Sequence, residues 1–245
     1  MNTNTDSSLQ LWLRSLAFWI VFPVSLVLFA TLLILTVPFA LKTRWALVQR
    51  WVHFILWWLR VTCKLSHEIQ GTENITPEAG IVFSKHQSTW ETIALQQIFP
   101  LQVWVAKREL MWIPFFGWGL ALMKCIHINR SSGKAAVKQL VNQGKARMDE
   151  GIWVVIFPEG TRIPAGEKGR YRIGAAVLAE QTGRHIVPVA HNAGEYWPRR
   201  SFIKRPGVIQ VRIGKPISPA GKTAQQLLEE ASNWIEEQMA EITTL

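Results

Sequence analysis

The sequence predicts an α/β fold, a single domain whose central β-sheet is flanked by helices, with a membrane-embedded helical segment at its N-terminus. Two observations carry this. The run from Ser15 to Leu41 contains no charged residue, and about 20 such residues in a helix cross a hydrocarbon layer of roughly 30 Å. Beyond residue 64, short β-branched runs alternate with helical stretches, each bounded by polar or Gly/Pro punctuation, the pattern of a layered α/β domain. Residues 1–64 are therefore expected to form membrane-anchoring helices and residues 65–245 the α/β domain.

Within the N-terminal part, Asp6 offsets Arg14 and the apolar run is longer than that of a cleaved signal peptide. Lys42, Arg44, Arg50 and Arg60 follow the run, so the positive-inside bias places the bulk of the chain on the cytoplasmic face. Pro23 and Pro38 can bend the helix, which leaves a spanning segment and a re-entrant hairpin both open. The stretch Arg44–Lys64 is shorter and rich in tryptophan. It reads as interfacial, with Trp45, Trp51, Trp57 and Trp58 at the headgroup boundary.

In the α/β part, strands are expected at Ile81–Ser84, Val103–Ala106, Ile126–Asn129, Ile152–Phe157, Ile186–Ala190 and Val208–Ile213. Helices are expected at Thr89–Ile98, Gly133–Glu150, Gly174–Gln181 and Thr223–Ile242. The chain is 49% apolar and 18% charged, below the roughly 25% charged residues of soluble proteins, and its mean hydropathy is +0.11. Part of the apolar surface should meet lipid. The net charge of +10 favours anionic partners. Beside a membrane segment, an acidic lipid surface or an acidic carrier explains the basic clusters at Lys168–Arg172 and Arg199–Arg205 better than nucleic acid does. Cys63 and Cys125 form neither a disulfide framework nor a zinc spacing, and His185 and His191 lack ligand-spaced neighbours, so no metal is expected.

Chemistry concentrates at three strand ends. The first is Lys85-His86-Gln87-Ser88, followed by a helix that carries Glu91. With His86 and Glu91 five residues apart, the turn can fold the carboxylate onto one imidazole nitrogen and leave the other free to take a hydroxyl proton. Ser88-Thr89-Trp90-Glu91 also fits a helix capping box. The second is Phe157-Pro158-Glu159-Gly160-Thr161-Arg162, where glycine permits close approach, threonine offers a hydroxyl and arginine a fork for phosphate oxygens. The third is Ile126-His127-Ile128-Asn129-Arg130, which ends a strand in arginine just before a helix start.

With these blocks in this order, and Val187-Pro188-Val189 as a fourth, the chain resembles the 1-acylglycerol-3-phosphate acyltransferases, or lysophosphatidate acyltransferases, over roughly residues 71–217. The resemblance implies that His86 is a general base and Glu91 its orienting carboxylate. It also implies that Lys107, Arg130, Glu159, Gly160, Thr161 and Arg162 hold the glycerol-phosphate end of the acceptor. The expected reaction is direct acyl transfer from acyl-CoA or acyl-carrier protein to lysophosphatidate, giving phosphatidate without a cofactor. Backbone N–H groups near Gln87 and Ser88 are the expected oxyanion donors. Three residues depart from the family pattern: Glu91 is glutamate rather than aspartate, Lys85 stands where asparagine is common and Lys124 where glycine is usual, and the two lysines leave the acceptor headgroup open. Another lysolipid or glycerol 3-phosphate as acceptor is the near alternative, and a non-catalytic lipid-binding membrane protein the distant one.

Overall fold

The computed structural model describes residues 7–129 and 132–244. Its first helix, α1 (Ser8–Leu35), starts at a capping box formed by Ser7 and Gln10 and continues through Pro23. It turns back at residues 36–40 into α2 (Leu41–Cys63), and the two helices pack along each other. Arg44 fastens the turn. Its guanidinium donates to the carbonyls of Val37 (2.8 Å) and Phe39 (3.2 Å) in the turn and to that of Leu122 (2.9 Å), the last being a helix-end acceptor without an intrahelical partner.

The expected interfacial tryptophans divide. Trp51 donates to Ser25 Oγ and Trp58 to the Ala17 carbonyl, so both indoles lie in the helix–helix seam and not at a headgroup boundary. Trp57 is 55% exposed.

Lys64 ends α2 in a left-handed conformation (φ 53°) and leads directly into β1 (Leu65–Gln70). There follow β2 (Ile81–Ser84), α3 (Trp90–Ile98), β3 (Gln102–Lys107), α4 (Phe116–Leu122), β4 (Ile126–Ile128) and α5 (Lys134–Asp149). The chain closes with β5 (Trp153–Ile156), α6 (Gly174–Thr182), β6 (Ile186–His191), α7 (Ala193–Tyr196), β7 (Gly207–Ile213) and α8 (Ala224–Ile242). The seven strands form one sheet in the order β1-β7-β6-β2-β5-β3-β4. Every pairing is parallel except β6–β7. β2 and β5 are buried at every position, as a parallel sheet covered on both faces requires.

The core runs without a break from the helical hairpin into the sheet: Phe18, Val52, Ile55 and Leu59 belong to the same buried cluster as Phe83 and Val154. α1 touches the α/β part at both ends. Near its start, Phe18 meets Trp197 edge-on and Ser15 Oγ accepts from the Lys204 N–H. Lys204 itself is buried, with its Nζ 3.7 Å from the Trp19 ring centroid, a cation–π contact. Near its end, Leu33 packs toward Gly119 of α4. The opposite face of α1 exposes Leu13, Ile20, Val24, Leu28 and Leu35.

Candidate active site

Because β2 and β5 are adjacent and parallel, with Phe83 opposite Ile156, the turns that leave their C-terminal ends share one edge of the sheet. Ligands of open α/β sheets collect at such an edge. One turn carries His86 and the other the block from Phe157 to Arg162. They clamp each other. The Glu159 Oε2 accepts from the His86 N–H (2.8 Å), and the Ile163 N–H donates to the His86 carbonyl (2.8 Å). The His86 ring stacks on Phe157 with centroids 4.2 Å apart. Backbone and ring are thus both fixed.

His86 Nδ1 lies 2.8 Å from Glu91 Oε1. Glu91 is fully buried at the start of α3, and its carboxylate also accepts the N–H groups of Gln87 and Ser88. Burial alone would push the Glu91 carboxyl up. His191 and His86 beside it, together with the Ser88 N–H, outweigh that and hold it below its ordinary value. The carboxylate therefore ties down the turn that leads into α3 and orients the imidazole at once. The Gln87 and Ser88 N–H groups are already engaged by Glu91, which corrects their expected assignment as oxyanion donors.

The other side of His86 faces an apolar cavity of about 460 Å³. Phe22, Leu26 and Ala30 of α1, Val48 and Trp51 of α2, Leu120 of α4 and Met123 just after it line the cavity, while His86, Lys107, Gly160 and Arg162 stand at its polar end. Arg162 is partly desolvated, and that burial lowers its pKa. Its carbonyl accepts from Arg199 (3.1 Å), a second cation at this corner that the motif blocks do not mark.

Of the expected acceptor residues, Lys107, Gly160 and Arg162 meet at this cavity. Thr161 opens instead onto a second cavity of about 920 Å³ on the other side of the turn. Glu159 is buried, its carboxylate engaged by the His86 N–H and by Lys85 Nζ. Arg130 lies outside the described residues. Neither of the two lysines that depart from the family pattern faces the apolar cavity: Lys85 is 1% exposed and turned the other way, and Lys124 pairs with Glu150 (2.8 Å). Lys124 also has φ 58°, the conformation that glycine adopts without steric cost. Among the described residues no cluster of His, Cys, Asp and Glu could hold a metal ion, and both cysteines are free and buried.

Residues 66–192 match the family described as Acyltransferase. A 1-acyl-sn-glycerol-3-phosphate acyltransferase from Pseudomonas aeruginosa is 42% identical over 239 residues, covering 95% of this chain and 93% of that relative. The chain belongs to the 1-acyl-sn-glycerol-3-phosphate acyltransferase family. A Saccharomyces cerevisiae protein of the same description is 32% identical over 191 residues, which span 75% of this acyltransferase and 61% of the yeast chain. In fold, it superposes on the crystal structure of the 1-acyl-sn-glycerophosphate acyltransferase PlsC from Thermotoga maritima. That match has a TM-score of 0.80 at 20% identity and covers 95% of this chain and 96% of that one.

Proposed function

We propose that this acyltransferase moves a fatty acyl group from a thioester to the sn-2 hydroxyl of 1-acylglycerol 3-phosphate, giving phosphatidate, with His86 as general base. The observation that carries the assignment of the base is His86 itself. Its Nδ1 is held by Glu91 while its ring lines the polar end of an apolar cavity beside Arg162. Held in that tautomer, Nε2 takes the proton of the acceptor hydroxyl as the oxygen attacks the thioester carbonyl. The tetrahedral intermediate then expels the thiolate, which leaves with the proton from the His86 imidazolium. Glu91 stabilises the imidazolium throughout. Lys107 and Arg162 offer cations to the acceptor phosphate, and the apolar cavity suits an acyl chain. Glu159 acts behind His86, not on the phosphate.

The donor's carrier is CoA or acyl-carrier protein, both anionic and suited to a chain of net charge +10. α1 is long and apolar enough to cross a membrane, yet it touches the α/β part near both ends. The hairpin therefore lies along the domain and immerses its exposed apolar face in the cytoplasmic side of the bilayer.

The test is transfer of labelled acyl groups from acyl-CoA and from acyl-carrier protein to lysophosphatidate and to a panel of other lysolipids. Wild type should form labelled phosphatidate, and His86→Ala should lower its rate by about 10²–10⁴-fold. Undiminished transfer by His86→Ala would reject the mechanism. Product with only another lysolipid would replace the acceptor.

A further inference from the structure

Behind His86, on the side away from the apolar cavity, lies a charge network that joins Lys85 and Glu159 of the motif blocks to Tyr171 and Glu236 outside them. Lys85 Nζ is 3.2 Å from Glu159 Oε1 and 2.9 Å from Glu236 Oε1 on α8. Tyr171, in the segment before α6, donates its hydroxyl to the same Glu236 oxygen (2.6 Å), and its ring lies 5.6 Å from the Lys85 ammonium. The other Glu159 oxygen accepts from the His86 N–H. A continuous path therefore runs from α8 through Lys85 and Glu159 to the backbone of the base.

We propose that Lys85, Glu236 and Tyr171 are positioning residues for acyl transfer. They hold Glu159 as a carboxylate aimed at the His86 N–H and so keep His86 at the mouth of the apolar cavity. This rests on the reading of His86 as the base.

The charge on Glu159 is not assured by its surroundings alone. Its burial pushes the carboxyl up to about 7, against the pull of Lys85 and of the His86 N–H, and Glu91 adds a further upward push. The ionisable groups around it are Lys85 and His86 in the turn before α3, Glu91 at the start of α3, Tyr171, and Glu236 on α8. His191 of β6 stands behind Glu91 and bonds the Lys85 carbonyl (2.9 Å). Lys85 is the cation that contacts Glu159, and it is shared with Glu236. When Glu159 is protonated, a charge-assisted acceptor at the His86 N–H becomes a neutral and weaker one.

Sharing one cation between two carboxylates makes a signed test. In Lys85→Met, Glu159 loses its counter-charge, so the acid limb of the kcat profile should move to higher pH by about one unit or more. At pH 7, kcat should fall on the order of tenfold, with both KM values within about twofold. Glu236→Gln frees Lys85 for Glu159 and should move the limb the opposite way. Tyr171→Phe removes the hydroxyl that also serves Glu236, which then draws more on Lys85, so the limb should move slightly upward.

Glu236 has a side chain 20% exposed, and Tyr171→Phe keeps the ring, so these two variants carry the test if Lys85→Met does not fold. Direct action of the Lys85 charge on the imidazole is separated by adding Lys85→Met to Glu159→Gln. The second change should then cost less than about twofold. Unmoved acid limbs, shifts of the same sign in Lys85→Met and Glu236→Gln, or fully multiplicative losses in the double variant would each overturn the proposal. A fully active His86→Ala would remove the base reading, a result independent of these shifts.

Discussion

Three donors converge on the Glu91 carboxylate: the imidazole of His86 and the N–H groups of Gln87 and Ser88. An amide of the same size cannot accept with both of its ends, so Glu91→Gln sets an N–H group against an N–H group or turns its own NH₂ toward the imidazole. Glu91→Gln is therefore expected to lower kcat by about 10²–10⁴-fold with KM little changed. Steady-state kinetics at saturating donor and acceptor would check this, and an unchanged kcat would show that the carboxylate only holds the turn before α3. At this scale the residue types and their order were legible in the sequence: His86 meets Glu91, and Lys107, Gly160 and Arg162 line the same cavity as His86. The direction in which a side chain faces was not. Lys85 is next to His86 in sequence yet points to the opposite side of the strand end, as alternation along extended chain requires. Glu159, in the middle of a block expected to hold phosphate, reaches back to the backbone of His86 instead. Lys124 shows the reverse case, since its φ of 58° makes physical sense of the glycine that its position usually carries.

Among the elements, those with strong internal pattern were legible and those defined by distant partners were not. The buried strands β2, β5 and β6 lie at or within a residue or two of their expected bounds. β1 was missed because it buries only Leu65 fully and gains its identity from parallel pairing with β7, about 140 residues later in the chain. α4 hides its helical pattern behind Gly117 and Gly119, both poor helix formers. Arg44 was read as a charge that sets membrane orientation, but its guanidinium is the clasp of the α1–α2 turn. Arg44→Ala leaves the carbonyls of Val37, Phe39 and Leu122 without that donor. Since a hydrogen bond to a charged group contributes about 1.5–3 kcal/mol and partly exposed carbonyls recover water, a loss of about 1–3 kcal/mol is expected. Thermal unfolding in detergent should show a lower Tm, and limited proteolysis should show faster cleavage at residues 36–40. An unaltered Tm would mean that the hairpin is held by its seam alone.

On the scale of the whole molecule, the sheet order places the chemistry at the edge that the hairpin covers. The C-terminal ends of β2, β5 and β3 present His86, Phe157 and Lys107 side by side, and α1, α2 and α4 roof the cavity that starts there. The apolar cavity is thus not a property of the α/β part alone, since α1 and α2 supply part of its wall and the other face of α1 is apolar and exposed. If the cavity takes the acyl chain as proposed, the hairpin helps decide which chain fits. Gly119 sits where α4 meets α1 and lines the cavity, and a Cβ built there meets only Leu33 Cδ2 at 3.9 Å. A larger side chain at this point must extend into the cavity or push α1 outward. Gly119→Phe should therefore favour shorter acyl donors, with the rate for long-chain thioesters falling about tenfold or more relative to short ones. The check is a series of acyl-CoA donors of increasing length, with Tm recorded beside it. A lowered Tm with an unchanged chain-length profile would mean that α1 yields and that the cavity does not measure the chain; a shortened profile at constant Tm would place the acyl group between the hairpin and the sheet.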